Sequence, residues 1–326
     1  MREDDFLEKL AWESGLTPKE VEGLLFLLKE PIENQELIQK TGLSKSILDD
    51  FRRFLSSYLE KPSRLTVLNS RGKKLVARIS PKAFDWTPYW QQNFSPEEND
   101  FLKRAKSFFT SRPASNRFFD QFLATEETVC QRALLLRRRG HIIKRRLIFL
   151  GDDDFTCLAV AFWQEAKRIL VVDVDKRVLS AIRKVADKEK LEVETLYYDL
   201  RQPLPSHLRA NFDVVFTDPP YTPNGISLFL SRGIEALEAK NVSALYCCYG
   251  QSERAREKTL VIQEKINQLG LLVRERLFNF NRYFGASSIG SASSLYINSI
   301  TAKTKPLIRG RYEGKIYTWE KKNYCL

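Results

Sequence analysis

RLIFLGDDDFTC, residues 146–157, reads as a strand running into a turn and then a helix, and the fold can be worked out from it. Many α/β enzymes keep a glycine-rich loop at this junction, but here three aspartates, Asp152, Asp153 and Asp154, follow Gly151. Downstream the chain alternates. A helix FTCLAVAFWQEA leads to a strand RILVVDVD, a helix KRVLSAIRKVADKEK, strands LEVETLYYD and FDVVFTD, and a helix GISLFLSRGIEALEA. Then come a strand SALYCCYG, a helix ERAREKTLVIQEKINQLG and two late β runs, LLVRERLFNF and SSLYINSIT. Upstream, a helix near 126–139 precedes the first strand. The alternation predicts the α/β class, with a mostly parallel, doubly wound Rossmann-like sheet that binds its ligands at the C-terminal strand ends.

Acidic residues close four successive predicted strands: Asp152 to Asp154, then Asp173, Asp199 and Asp218. One aspartate at a strand end is ordinary turn chemistry. An ordered set points to an adenosine-type ligand. A carboxylate after the second strand can accept from both ribose hydroxyls, and one after the third can accept from an adenine amino group. The layout resembles the S-adenosylmethionine-dependent transferase fold, with VVDVD as the ribose-binding strand end and YYDL as the adenine-binding one. In that fold the first loop is neutral and lets the methionine carboxylate approach backbone amides. Two unit charges about 4 Å apart interact by roughly 4 kcal/mol at an effective dielectric of 20, so three aspartates select against a carboxylate. They suit cations: decarboxylated S-adenosylmethionine, which keeps an ammonium and a sulfonium, and a polyamine acceptor.

DQFLATEETVCQRALLL, LIFLGDDDFTCLAVA, VVDVD and FTDPPYTPNGISLFLSRG together resemble the branched-chain polyamine synthases. The resemblance implies aminopropyl transfer from decarboxylated S-adenosylmethionine to the N4 secondary amine of spermidine, with no metal, in a cytoplasmic homodimer. It also implies an N-terminal winged-helix-like domain. In linear spermidine synthases the corresponding loop reads Gly-Gly-Gly-Asp-Gly-Gly; aligning Gly151 on its first glycine puts Asp154 on the substrate-facing aspartate. Asp218 falls on the aspartate that faces the attacking amine. Asp154 and Asp218 are therefore the expected catalytic carboxylates, with Asp153 in support. Asp152, Pro219, Pro220, Tyr221 and Thr222 are expected at the acceptor, and Gln121, Glu127, Gly151, Asp173 and Asp199 at the donor. CQRALLLRRRGHIIKRR departs from the pattern, being more basic than a polycation site suggests. NRYFGASSIGSASSLYI resembles the family's C-terminal sheet, and the final GKIYTWEKKNYCL is expected to fray.

The 326 residues suffice for two domains. Residues 1–80 predict a helical module ending in a hairpin, with Thr17 and Ser44 as N-caps and a turn at Arg71-Gly72 within RLTVLNSRGKKLVARIS. That is the outline of a winged helix. Residues 81–125 form a connecting segment with one amphipathic helix, PEENDFLKRAKSFF, and 126–326 form the catalytic domain. Five cysteines without a CxxC pair, and two histidines, indicate neither a disulfide framework nor a zinc site. MREDDFLEKLAWESG lacks the apolar run of a signal peptide, no segment is apolar enough to span a bilayer, and a cytoplasmic location is expected.

Three other readings stay open. Asp-Pro-Pro-Tyr is also the signature of enzymes that methylate exocyclic amines of RNA or DNA bases, and the net charge of +12 favours such a partner. The acidic loop opposes it, and a nucleic acid is not the expected substrate. Clustered carboxylates can also bind divalent metals, as in phosphoryl-transfer enzymes, but no phosphate-binding loop accompanies them. A winged-helix regulator that senses polyamines through a degenerate transferase domain is the third.

Overall fold

The computed structural model describes residues 3–16, 18–61, 64–84, 86, 94–239, 243–250, 256–285 and 291–319. The chain divides into two compact units, Met1–Gln92 with Arg282–Ala292, and Asn93–Asn281 with Ser293–Leu326. The second unit takes in most of the segment expected to connect two domains.

The first unit is helical. Helices α1 (Glu3–Ser14), α2 (Pro18–Leu27), α3 (Asn34–Thr41) and α4 (Lys45–Phe54) enclose a core that includes Leu24, Leu25, Leu37, Leu48 and Phe51. Gly42, at φ +69°, ends α3 in the left-handed conformation, and the Ser44 hydroxyl accepts from Ile47 N to start α4. Thr17 lies outside the described residues. Among the described residues the hairpin expected within 64–80 does not form. Strands β1 (Ile32–Glu33) and β2 (Leu65–Thr66) pair with each other, and residues 70–79 form helix α5 (Ser70–Ile79). The Asn69 side chain accepts from Gly72 N and caps that helix, so Arg71-Gly72 is its first turn and no hairpin bend. Gly72 is needed for close approach to the Tyr58 carbonyl, which would clash with any Cβ.

The second unit holds a seven-stranded sheet. Its strands are β3 (Arg146–Leu150), β4 (Arg168–Asp173), β5 (Glu194–Tyr197), β6 (Val214–Thr217), β7 (Ala244–Tyr249), β8 (Leu272–Arg282) and β9 (Ala292–Ser299), in the spatial order β5-β4-β3-β6-β7-β9-β8. The first five run parallel, and β9 is antiparallel to β7. Around them stand α6 (Pro96–Phe109), α7 (Glu126–Arg138), α8 (Thr156–Ala161), α9 (Lys176–Glu189), α10 (Pro223–Ala236) and α11 (Arg256–Gln268). Strand cores such as Leu147–Leu150 are wholly buried, as expected for a parallel sheet covered on both faces. The expected elements from residue 126 onward all form, although α8 is shorter than FTCLAVAFWQEA suggested. Among the described residues no helix is long and apolar enough to cross a membrane.

Candidate active site

The C-terminal ends of β5, β4, β3 and β6 lie side by side, so Asp199, Asp173, the Gly151–Asp154 loop and Asp218 follow one another across the sheet edge. Three strand spacings separate the outer two, roughly 14 Å, enough for an extended nucleoside. Here a cleft opens. Six aspartates line it, Asp120, Asp153, Asp154, Asp173, Asp199 and Asp218, and among the described residues no lysine or arginine does. Phe119, Phe122, Tyr198, Tyr221 and Tyr317 supply aromatic walls.

The loop is held by its backbone. Gly151, at φ +71°, turns the chain where a side chain would be strained, and its N–H donates to Val172 O. Asp152 N donates to the Asp173 carboxylate at 3.1 Å, and Asp175 N donates to the same group at 2.7 Å. Asp173 thus ties β3 to β4 while facing the cleft, and burial pushes its carboxyl up to about 6. The three loop aspartates have separate situations. Asp152 turns inward and accepts from Thr156 N and Cys157 N at 2.9 and 2.8 Å, capping α8; it does not line the cleft expected to hold the acceptor. Asp154 accepts from Ala124 N and from Arg132 Nη1, both at 2.6 Å. Asp153 has no hydrogen bond or ion pair among the described residues and lines the cleft. Burial, then the charges of Asp154, Asp173, Asp218 and Asp152, push its carboxyl well above the usual range.

Pro219, Pro220 and Tyr221 line the cleft after Asp218, with the Tyr221 ring 6.3 Å from those of Phe122 and Tyr249. Thr222 does not; its hydroxyl accepts from Gly225 N as the cap of α10 and donates to Ile316 O. Gln121 reaches the cleft, but its amide is engaged, donating to Asp175 and accepting from Asn116 N. Glu127, expected at the donor, is exposed and pairs with Lys106 at 3.3 Å. Asp199 lines the far end and accepts from Arg201 N and Nε.

Three features escaped the sequence reading. Arg132, within the basic stretch, is completely buried and bridges Asp154 and Asp218, at 2.6 and 2.7 Å. Its place on α7 with Val129, Ala133 and Leu136 at helical spacing was the available signal, since a charge on an apolar stripe must find partners. The neighbouring Arg137, Arg138 and Arg139 pair with Glu165, Glu98 and Glu275 away from the cleft. Asp120 accepts from Thr318 N and Oγ1. That latch seats Ile316 and Tyr317 in the cleft wall, so the terminal segment expected to fray is ordered through Trp319; residues 320–326 lie outside the described residues.

The strand order and the row of strand-end acids define a Rossmann-like transferase of the S-adenosylmethionine type. Residues 100–320 match the family model described as "Branched-chain polyamine synthase A C-terminal domain", and the chain belongs to that family. It is 34% identical over 233 residues to the N(4)-bis(aminopropyl)spermidine synthase of Thermococcus kodakarensis, a match covering 69% of this chain and 66% of that one, just under two thirds. It is 35% identical to an uncharacterized protein of Methanocaldococcus jannaschii, over 89% of this chain and 74% of the relative. The branched-chain polyamine synthase of Thermus thermophilus, crystallised with N4-aminopropylspermidine and 5′-methylthioadenosine, superposes with a TM-score of 0.67 at 23% identity, covering 95% of each chain.

Proposed function

We propose that the chain is an aminopropyltransferase that moves the aminopropyl group of decarboxylated S-adenosylmethionine to the N4 secondary amine of spermidine, releasing methylthioadenosine. The observation that carries this reading is a cleft lined, among the described residues, by six aspartates and no basic side chain in a protein of net charge +12. The name of the Thermococcus relative supports the same acceptor. Asp199 and Asp173 accept from the adenosine end of the donor, and the sulfonium then lies over the Asp153–Asp154 loop. The aromatic walls receive the methylene segments and the cationic nitrogens of the acceptor.

The secondary ammonium of spermidine must lose a proton before it can attack. Asp154 is already engaged by an N–H and a guanidinium, so its carboxylate is committed to protein donors. Asp153 has a raised proton affinity and no protein donor, which favours it as the base. The role expected of Asp154 thus passes to its neighbour. The freed lone pair attacks the propyl carbon, the carbon–sulfur bond breaks with its electrons going to sulfur, and neutral methylthioadenosine departs. Asp218 and Tyr221 orient the amine.

Mass spectrometry of purified protein with spermidine and the decarboxylated donor tests the proposal. One methylthioadenosine for each aminopropyl group added to spermidine is expected; methylthioadenosine without a polyamine product, or no turnover, would refute it.

A further inference from the structure

We infer that Arg132 is a positioning residue for the reaction: its guanidinium fixes Asp154 and Asp218 as a pair across adjacent strand ends and leaves proton transfer to Asp153. The inference rests on the function proposed above. Asp154 follows β3 and Asp218 follows β6, so one planar fork spans the two strands between which the reacting carbon must sit. The fork has its own support. Arg132 Nε donates to Asn281 Oδ1 at 2.8 Å, and Asn281 Nδ2 donates to Ser293 Oγ at 2.8 Å; Asn281 and Ser293 are both completely buried. Nη1 also lies 3.4 Å from Thr156 Oγ1, and the guanidinium carbon stands 5.4 Å from the Phe216 ring centroid. Every face of the group is therefore engaged below the cleft floor, and none is offered to substrate.

An arginine beneath a polycation site looks self-defeating, and its geometry explains it. Asp152, Asp153, Asp154, Asp173 and Asp218 crowd one strand edge, and the charges of the other four add to burial in raising the Asp153 carboxyl. Among the described residues, the cations facing the cluster from neighbouring elements are Arg132 on α7 and Arg112 after α6. Arg112 donates to Ala124 O, and the N–H of that same residue holds Asp154. Arg132 holds both Asp154 and Asp218, which leaves Asp153 as the cleft-lining loop carboxylate without a protein donor among the described residues. A lysine cannot reproduce the fork, since an ammonium is a point charge without two parallel donors.

Arg132→Lys tests this, with methylthioadenosine binding as the measure of a folded donor site. The expected result is normal methylthioadenosine affinity and donor KM, with kcat lower by about 10²-fold and the acid limb of the kcat profile moved to higher pH. Should this variant fail to bind methylthioadenosine, Asn281→Ala leaves the charge in place but unfixes the fork, and kcat is expected to fall about tenfold with donor KM unchanged. Folded Arg132→Lys, or failing that Asn281→Ala, with wild-type kcat and an unmoved pH profile would overturn the inference alone. A wild-type protein without aminopropyl transfer would overturn it together with the function it rests on.

Discussion

Asp153 and Asp154 are sequence neighbours of one residue type, yet hydrogen bonding divides their work. Asp154 accepts from Arg132 and Ala124 N, whereas Asp153 faces the cleft without a donor. Asp153→Asn is expected to lower kcat by about 10²–10⁴-fold while leaving methylthioadenosine affinity near normal, checked by rapid-quench turnover and calorimetry. Asp173 has a distinct pH signature. Its carboxyl is raised to about 6 by burial, and the proposed contact with both ribose hydroxyls requires the ionised form. Donor KM should therefore be flat at pH 8 and rise as pH falls through about 6; a flat KM down to pH 5 would remove Asp173 from the donor site. The positions of these acids were legible because each closes a strand. Their individual roles were not, since Arg132 and Ala124 lie 22 and 30 residues from Asp154 in sequence.

Element boundaries explain the rest of what the sequence disclosed and concealed. The β3–α8 junction was readable because an apolar strand, a glycine and a helix start occur in immediate succession, and the polar partners are local. Asp152 belongs to that junction. Asp152→Ala removes two amide acceptors at the start of α8 and is expected to cost about 1–2 kcal/mol of stability, measured by urea unfolding. The helix α5 misled because SRGKK combines a glycine with flanking short apolar runs; the deciding contact is between Gly72 and the Tyr58 carbonyl, which no local pattern reveals. The C-terminal segment was hidden for the same reason, being fastened by Asp120 and Thr222. At Gly225 a Cβ would stand 2.7 Å from Ile316 O. Gly225→Ala is thus expected to displace the segment and raise acceptor KM about tenfold, with a smaller effect on kcat.

Across the whole molecule, net charge and local charge have opposite signs. The surplus of lysine and arginine pointed to nucleic acid, but the cleft is acidic, and arginines such as Arg137, Arg138 and Arg139 pair with carboxylates away from it. The acid cluster also sets how stability responds to pH. Asp152 and Asp173 are raised in the folded state to about 7 and about 6, above the roughly 3.9 of an unfolded aspartate, so the folded chain holds protons the unfolded chain has released. Their contribution is fully present below about pH 4 and is lost as pH rises through 6 and 7. His141, lowered by burial, acts in the opposite sense, and the lowered acids Glu98, Asp175 and Asp213 are already ionised in that range. The substrate-free protein should lose roughly 5 °C in Tm between pH 5.5 and 8, and spermidine should restore more of it at pH 8 than at pH 5.5.

The central claim is that the aspartate loop selects cations and rejects the carboxylate of the intact donor. Calorimetric titration of the protein with S-adenosylmethionine and with its decarboxylated form, at pH 8 and the same ionic strength, tests it most directly. The account predicts that the decarboxylated form binds at least about tenfold more tightly, equivalent to about 1.4 kcal/mol. Equal affinity, or tighter binding of the intact donor, would contradict it and return the site to methyl transfer.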